Sequence, residues 1–169
     1  MSIPLTLVLG GARSGKSRHA EALVTAGPAP WVYIATAQAF DDEMVARIAQ
    51  HRADRAPGWI TIEAPLDLAG ALDAAPLDGA VLIDCLTLWL TNLMLGEHDI
   101  TTAVVALEAA LDRRRAPVVL VANEVGLGIV PENALARAFR DEAGRLNQRL
   151  ATRAGRVLFM VAGLPLVVK

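Results

Sequence analysis

A single cysteine, Cys85, stands in the 169-residue chain. That rules out an internal disulfide framework and a cysteine-based zinc site. Set in an apolar run, Cys85 is read as a buried core thiol. An excess of either charge is also missing. Sixteen Lys and Arg against 18 Asp and Glu leave a formal charge of -2. Nothing therefore draws the whole chain to nucleic acid or anionic lipid, and a polyanion must be met by a local cluster. Histidine is scarce, with only His19, His51 and His98, and His19 and His98 have no partner at metal-ligand spacing. No apolar run is long and unbroken enough for a membrane span. The nearest, "GAVLIDCLTLWLTNLMLG" over residues 79–96, is interrupted by Asp84 and reads as a buried strand followed by a buried helix. Part of that helix is apolar enough to suit a partner subunit. Residues 1–9 have neither a basic start nor a long apolar segment, so no secretory signal and a cytoplasmic location are expected. Internal repeats, low-complexity tracts and long linkers are absent, and "AGPAP" at 26–30 is a helix-to-strand turn.

What is present builds a core. Hydrophobic residues make up 54% of the chain, enough for one full domain of this length without staples. Apolar, β-branched runs near 4–9, 31–35, 59–63, 79–84, 117–122 and 156–162 predict strands. Ala/Leu/Arg-rich runs near 16–26, 41–53, 66–74, 86–95, 100–115 and 132–153 predict helices. Strand and helix in strict succession imply right-handed crossovers. The expected fold is α/β, a three-layer domain with a mostly parallel central sheet. "PLTLVL" and "PVVLVA" are continuously hydrophobic, as central strands are, whereas "WITIE" alternates and belongs nearer an edge. In such a sheet the ligand crevice lies beyond the carboxyl ends of the strands. The candidate segments are then 10–17, 35–38, Glu63, 84–87 and 123–128.

The first of these is "GGARSGKS", residues 10–17, which fits G-x-x-x-x-G-K-[ST] between a strand and a helix. Glycines let successive N–H groups turn toward phosphate oxygens, and the helix N-terminus adds positive potential. Lys16 reaches the outer phosphates and Ser17 can ligate Mg2+. A nucleotide-hydrolysing or phosphoryl-transferring site also needs an acid at a nearby strand end, and "AVLID" supplies Asp84. An aspartate there could equally cap the helix that begins at Leu86. The later loop "NEVGLGIVPEN" contains Gly126 and Gly128, which permit close backbone approach or motion over a substrate. It places Asn123 and Glu124 near the crevice mouth. Asn147 and Gln148 read as the end of a helix face, and Trp31, Trp59 and Trp89 as core or interface anchors.

"DDEMVARIAQHRADR" reads as a helix with an acidic first turn, Asp41, Asp42 and Glu43, and an apolar side marked by Met44 and Ile48. Counting in fours places Arg47, His51 and Arg55 on one stripe, with Arg52 about 100° round. The cluster could bind a triphosphate, and neighbouring cations would favour the neutral, nucleophilic imidazole. A solvated basic helix face explains the same spacing.

Several segments together, "GGARSGKSRHAEAL", "YIATA", "DDEMVARIAQHRADR", "WITIE", "NEVGLGIVPEN" and "FRDEAGRLNQRLA", resemble the bifunctional adenosylcobinamide kinase / adenosylcobinamide-phosphate guanylyltransferase family of cobalamin biosynthesis. The likeness runs from the phosphate loop to the terminal "GLPLVVK". It implies phosphorylation of the aminopropanol hydroxyl of adenosylcobinamide with ATP or GTP. Transfer of GMP from GTP to adenosylcobinamide-phosphate then gives adenosylcobinamide-GDP and pyrophosphate. It also implies that His51 carries GMP covalently and that Lys16 serves catalysis. By the same resemblance, nucleotide contacts fall on Gly10, Gly11, Ala12, Arg13, Ser14, Gly15, Lys16 and Ser17. Further contacts fall on Ala35, Thr36 and Ala37, on Arg52, Ala53, Asp54 and Arg55, and on Glu63 and Asp84. Mg2+ would be held by Ser17 and Asp84, and a homotrimer is expected. Two other readings compete on the residues alone. One is a small-molecule P-loop kinase whose arginines only clamp phosphate, and the other is a nucleotide-regulated switch acting on a protein partner. Parts of residues 64–78 and 96–116 match no pattern of that family.

Overall fold

The computed structural model describes residues 5–39, 41–53 and 55–169, apart from the side chains of Arg47 and His51. Seven strands form one sheet in the order β3-β2-β4-β5-β1-β6-β7. They are β1 (Leu5–Gly10), β2 (Trp31–Ala35), β3 (Trp59–Glu63), β4 (Ala80–Asp84), β5 (Val118–Asn123), β6 (Arg156–Val161) and β7 (Leu164–Val167). The first six pair in parallel, and β7 returns antiparallel on β6. The helices are α1 (Lys16–Thr25), α2 (Asp42–Ala53), α3 (Leu68–Ala74), α4 (Leu86–Leu95), α5 (Ile100–Arg113) and α6 (Ala134–Arg153).

The strand interiors explain the order. β4 and β5 read Ala-Val-Leu-Ile and Val-Val-Leu-Val-Ala before their polar ends, and those residues are buried on both faces. They lie mid-sheet with β1, as continuous apolar runs must. β3 keeps Ile60, Thr61 and Glu63 exposed and forms one edge, as its alternation predicts. The sheet separates two apolar clusters. One, centred on Leu7, Ile34, Ile83 and Leu120, is closed by α3 to α6 through Leu72, Trp89, Leu107 and Leu150. The other holds Val8, Leu82, Val121 and Leu158 under Ala20 and Val24 of α1. α2 joins neither cluster, and none of its described side chains is buried.

β7 departs from expectation, since the apolar runs predict no strand after residue 162. Two residues, Ala162 and Gly163, connect it to β6, with φ of 51° and 80°, the positive pair that a tight type I′ hairpin turn requires. All four β7 residues are exposed and one is Pro165, so neither burial nor alternation marks the strand. Proline is tolerated because β7 is the other edge. The turn also does local work: Gly163 N–H donates to Ser14 O at 3.0 Å, bracing the loop between β1 and α1.

Candidate nucleotide site

The carboxyl ends of β2, β3, β4 and β5 and the start of α1 open on one cavity of about 560 Å³. Lys16 and Ser17 line it from the start of α1, Ala35 ends β2 and Ala37 lies just beyond it. Glu63 ends β3, Asp84 and Cys85 end β4, and Asn123 ends β5. Met44, Val45, Ile48, Ala49 and Arg52 of α2 make the far wall. Met44 and Ile48 thus face inward, as the apolar side of that helix predicts, but toward open space rather than a core.

The phosphate loop is shaped by contacts that only small residues permit. A Cβ on Gly10 would come 2.5 Å from Ser14 Oγ and 3.1 Å from Met160 Cβ. Gly15 has φ 86°, and a Cβ there would sit 3.3 Å from Gly163 Cα, in the hairpin turn. Glu124 N–H donates to Gly10 O at 3.0 Å, so the loop is held from β5 as well as from the hairpin. Lys16 Nζ donates to Gly11 O at 2.8 Å. Gly10 to Gly15 wrap the front of α1 and do not line the deep cavity.

Behind Asp84 lies a buried polar lattice. Thr36 is fully buried; its Oγ1 donates to Cys85 O at 2.7 Å and accepts from Cys85 N–H at 2.9 Å. Asn92 Nδ2 donates to Thr36 O and Pro65 O, each at 2.9 Å. The loops after β2, β3 and β4 are thereby locked together. The Thr36 side chain consequently does not line the cavity, unlike the neighbouring Ala35 and Ala37. α4 is capped by Cys85, whose Sγ accepts from Leu88 N–H at 3.4 Å. Asp84 is therefore not the cap. The core reading of Cys85 holds in part, because the thiol is buried yet borders the cavity. The Asp84–Cys85 peptide is cis.

Asp84 instead accepts a hydrogen bond from Tyr33 at 2.9 Å. Burial first, then the charge and hydrogen bond of Asp84, push the Tyr33 phenol far above its ordinary range. Burial and Asp84 likewise push the Cys85 thiol up. Ser17 and Asp84 are both hard oxygen donors on one wall. They suit Mg2+, which takes one or two protein ligands and completes its shell from phosphate and water. Among the described residues no cluster of three or more His, Cys, Asp or Glu forms, so a larger all-protein cage does not compete there.

The arginine stripe is shorter than the sequence spacing suggests. α2 ends at Ala53, with Pro57 and Gly58 close behind, and Arg55 falls outside the helix. Its guanidinium lies 3.5 Å over the Tyr33 ring and donates to Thr61 Oγ1 at 3.0 Å. Arg52 pairs with Glu63, so the end of α2 is tied to the end of β3. Ala53 is exposed and does not line the cavity, while Asp54 and the side chains of His51 and Arg47 lie outside the described residues. The inward turn of α2 that lines the cavity is nonetheless the one that carries His51. Trp89, 1% exposed, donates to Leu66 O at 2.8 Å and acts as the core anchor expected. Trp31 and Trp59, half-buried, pack against each other with ring centroids 5.8 Å apart and planes tilted by 53°. Tyr33 and Asn123 complete the site. The strand-end rule marks Asn123, but a tyrosine inside an apolar strand gives no such signal.

A phosphate loop on β1, an acid at the end of β4 and β5 lying between them define a P-loop nucleotide-binding protein. The fold is shared with a Pyrococcus horikoshii OT3 protein at TM-score 0.57, 10% identity and coverage of 98% of this chain and 86% of that one. It is also shared with a prototypical ATPase of the type III secretion system of pathogenic bacteria at TM-score 0.57 and 11% identity, covering 94% and 51%. Residues 6–168 match the family model for cobinamide kinase / cobinamide phosphate guanyltransferase, and the chain belongs to that family. It is 50% identical to the bifunctional adenosylcobalamin biosynthesis protein CobU of Salmonella typhimurium, over 98% of this chain and 99% of that protein. It is 49% identical to CobP of Pseudomonas aeruginosa, over 96% of each. It is 46% identical to CobU of Escherichia coli, over 98% and 99%.

Proposed function

We propose that this chain phosphorylates adenosylcobinamide with ATP or GTP. It then moves GMP from GTP to adenosylcobinamide-phosphate through a covalent GMP adduct on His51. One observation carries this reading: Lys16, Ser17, Asp84, Arg52, Arg55 and Glu63 line a single cavity whose far wall is the helix that bears His51.

In the kinase step the acceptor hydroxyl attacks the γ-phosphorus, and Lys16 with the loop N–H groups neutralises charge developing on the phosphate oxygens. Mg2+, held by Ser17 and Asp84, would supply further charge compensation. No protein nucleophile is needed. The transferase step breaks the α–β linkage instead. The imidazole of His51 attacks the α-phosphorus, pyrophosphate leaves, and a phosphate oxygen of adenosylcobinamide-phosphate then displaces the imidazole. Two in-line displacements replace one difficult transfer. Arg52 and Arg55 would meet phosphate oxygens by charge-assisted contacts. The whole chain serves as one domain for both reactions, in the cytoplasm. We place it in a homotrimer, consistent with exposed Leu127, Ile129, Leu164 and Leu166, apolar side chains that a partner subunit would cover.

Mass spectrometry of intact protein and peptides after incubation with Mg2+ and GTP tests the reading. An acid-labile GMP adduct on His51, absent in His51→Ala and absent with ATP, is expected. His51→Ala should keep phosphorylation and lose GMP transfer, whereas Lys16→Ala should slow both by about 10²-fold or more. Unimpaired GMP transfer by His51→Ala overturns the assignment and leaves a kinase with an arginine clamp.

A further inference from the structure

Tyr33 has no role in the chemistry above, yet the acid at the end of β4 and the segment that follows α2 both rest on it. β2 and β4 pair with Tyr33 beside Leu82 and Ala35 beside Asp84. Residues two apart on a strand share a face, so Tyr33 and Asp84 point the same way. The phenol donates to Asp84 Oδ2 at 2.9 Å. Its ring lies 3.5 Å under the Arg55 guanidinium and meets Trp59 edge-on at 5.9 Å and 80°. Tyr33 is 5% exposed, so the ring has little freedom to turn aside. A carboxylate with one oxygen engaged by a fixed donor has its plane set and presents the other oxygen in one direction, as outer partners do for metal ligands.

We propose that Tyr33 is a positioning residue with two separable parts. Its hydroxyl aims the free oxygen of Asp84 at the metal that accompanies the nucleotide. Its ring seats Arg55, and with it the end of the helix carrying His51. The metal carboxylate and the nucleophile helix are thereby registered on one side chain. A phenylalanine would fill the same strand position and seat the same arginine, so core packing alone does not call for the hydroxyl. The proposal rests on the reading of Asp84 as a metal-holding acid.

The test uses Mn2+ in place of Mg2+ and a non-hydrolysable GTP analogue, with bound metal measured by the loss of the free Mn2+ signal in electron paramagnetic resonance. Tyr33→Phe should weaken Mn2+ binding roughly 10- to 100-fold, the range for losing an outer partner of a metal ligand. Nucleotide affinity without metal should stay at the wild-type value. Asp84→Asn should abolish most Mn2+ binding. If Asp84→Asn binds Mn2+ normally, the acid is misassigned and the proposal falls with it. If Asp84→Asn fails but Tyr33→Phe binds normally, Tyr33 alone is misassigned. The ring is tested at saturating Mg2+ by the rate of GMP adduct formation. Tyr33→Leu should be roughly three- to tenfold slower than Tyr33→Phe, the range for a lost cation–π contact. Arg55→Ala, which also gives up its phosphate contacts, should be at least as slow, and combining it with Tyr33→Leu should add nothing further. Equal rates for the Leu and Phe variants, or additive loss in the double variant, would overturn the seating role. Tyr33→Met, which also lacks the ring, carries that arm if Tyr33→Leu does not fold.

Discussion

Thr36 shows how a residue can matter to this site without touching a ligand. The family resemblance places it among the nucleotide contacts, but its hydroxyl is spent on both backbone groups of Cys85. Valine has the same shape and no hydroxyl, so Thr36→Val would leave the buried Cys85 N–H unpaired and cost the Cys85 carbonyl one of its two donors, the other being Trp89 N–H. We expect a loss of about 2–3 kcal/mol, measured from the urea midpoint and slope. Thr36→Ser, which keeps the hydroxyl, should lose less than half as much. Nucleotide affinity in the folded Val variant should fall only as far as the strand ends shift. A large, selective loss of GTP binding at unchanged stability would show that Thr36 acts on the ligand directly. Arg55 teaches the converse. Spacing in fours put it on a helical stripe with His51, but the helix stops two residues earlier and Arg55 seats on Tyr33 instead.

Elements were legible in proportion to how local their signals are. The six parallel strands declare themselves through apolar runs, and the phosphate loop through spacing that only strand, turn and helix can satisfy. β7 does not, because its four residues are exposed and its existence depends on pairing with β6. Tyr33 was hidden for a related reason. Its partner is 51 residues away, and only the order in which β2 and β4 become neighbours brings them together. α2 was read correctly as amphipathic, yet its apolar side lines a cavity. That difference has a measurable consequence. A helix with no buried described side chain has little apolar burial to hold it closed, so it should open at low free energy. Amide hydrogen exchange of the apo protein should be faster along α2 than along α4 by at least about 10²-fold. α4 is held by Trp89, Leu90 and Leu93, all buried. Addition of GTP and Mg2+ should slow α2 and leave α4 unchanged. Equal protection of the two helices without nucleotide would mean that α2 is packed by something other than the cavity wall.

At the scale of the whole molecule, the site makes its mark on stability through pH. Cys85 and Tyr33 flank Asp84 on the same side of the sheet and belong to the same apolar cluster. Burial is the main cause that raises each above its ordinary value of 9.0 for the thiol and 10.0 for the phenol. Below about pH 9 both groups are protonated whether the chain is folded or not, and stability is independent of them. As pH climbs past 9 and then 10, the unfolded chain releases protons that the folded chain retains. The unfolded state then binds fewer protons than the native state, so stability falls as pH rises, by ~1.4 kcal/mol per pH unit for each group. Because both side chains are buried, solvent does little to screen the effect. Chemical unfolding in EDTA at pH 7, 9, 10 and 10.5 should therefore give a curve that is flat to about pH 9 and then steepens. The Cys85→Ala, Tyr33→Phe double variant should lose most of that alkaline slope even though its stability at pH 7 is lower. The two curves should converge toward pH 10.5, because what the wild type loses is what the variant no longer has to lose. Parallel curves for the two proteins would place the alkaline sensitivity elsewhere and show that water reaches the thiol and phenol beside Asp84.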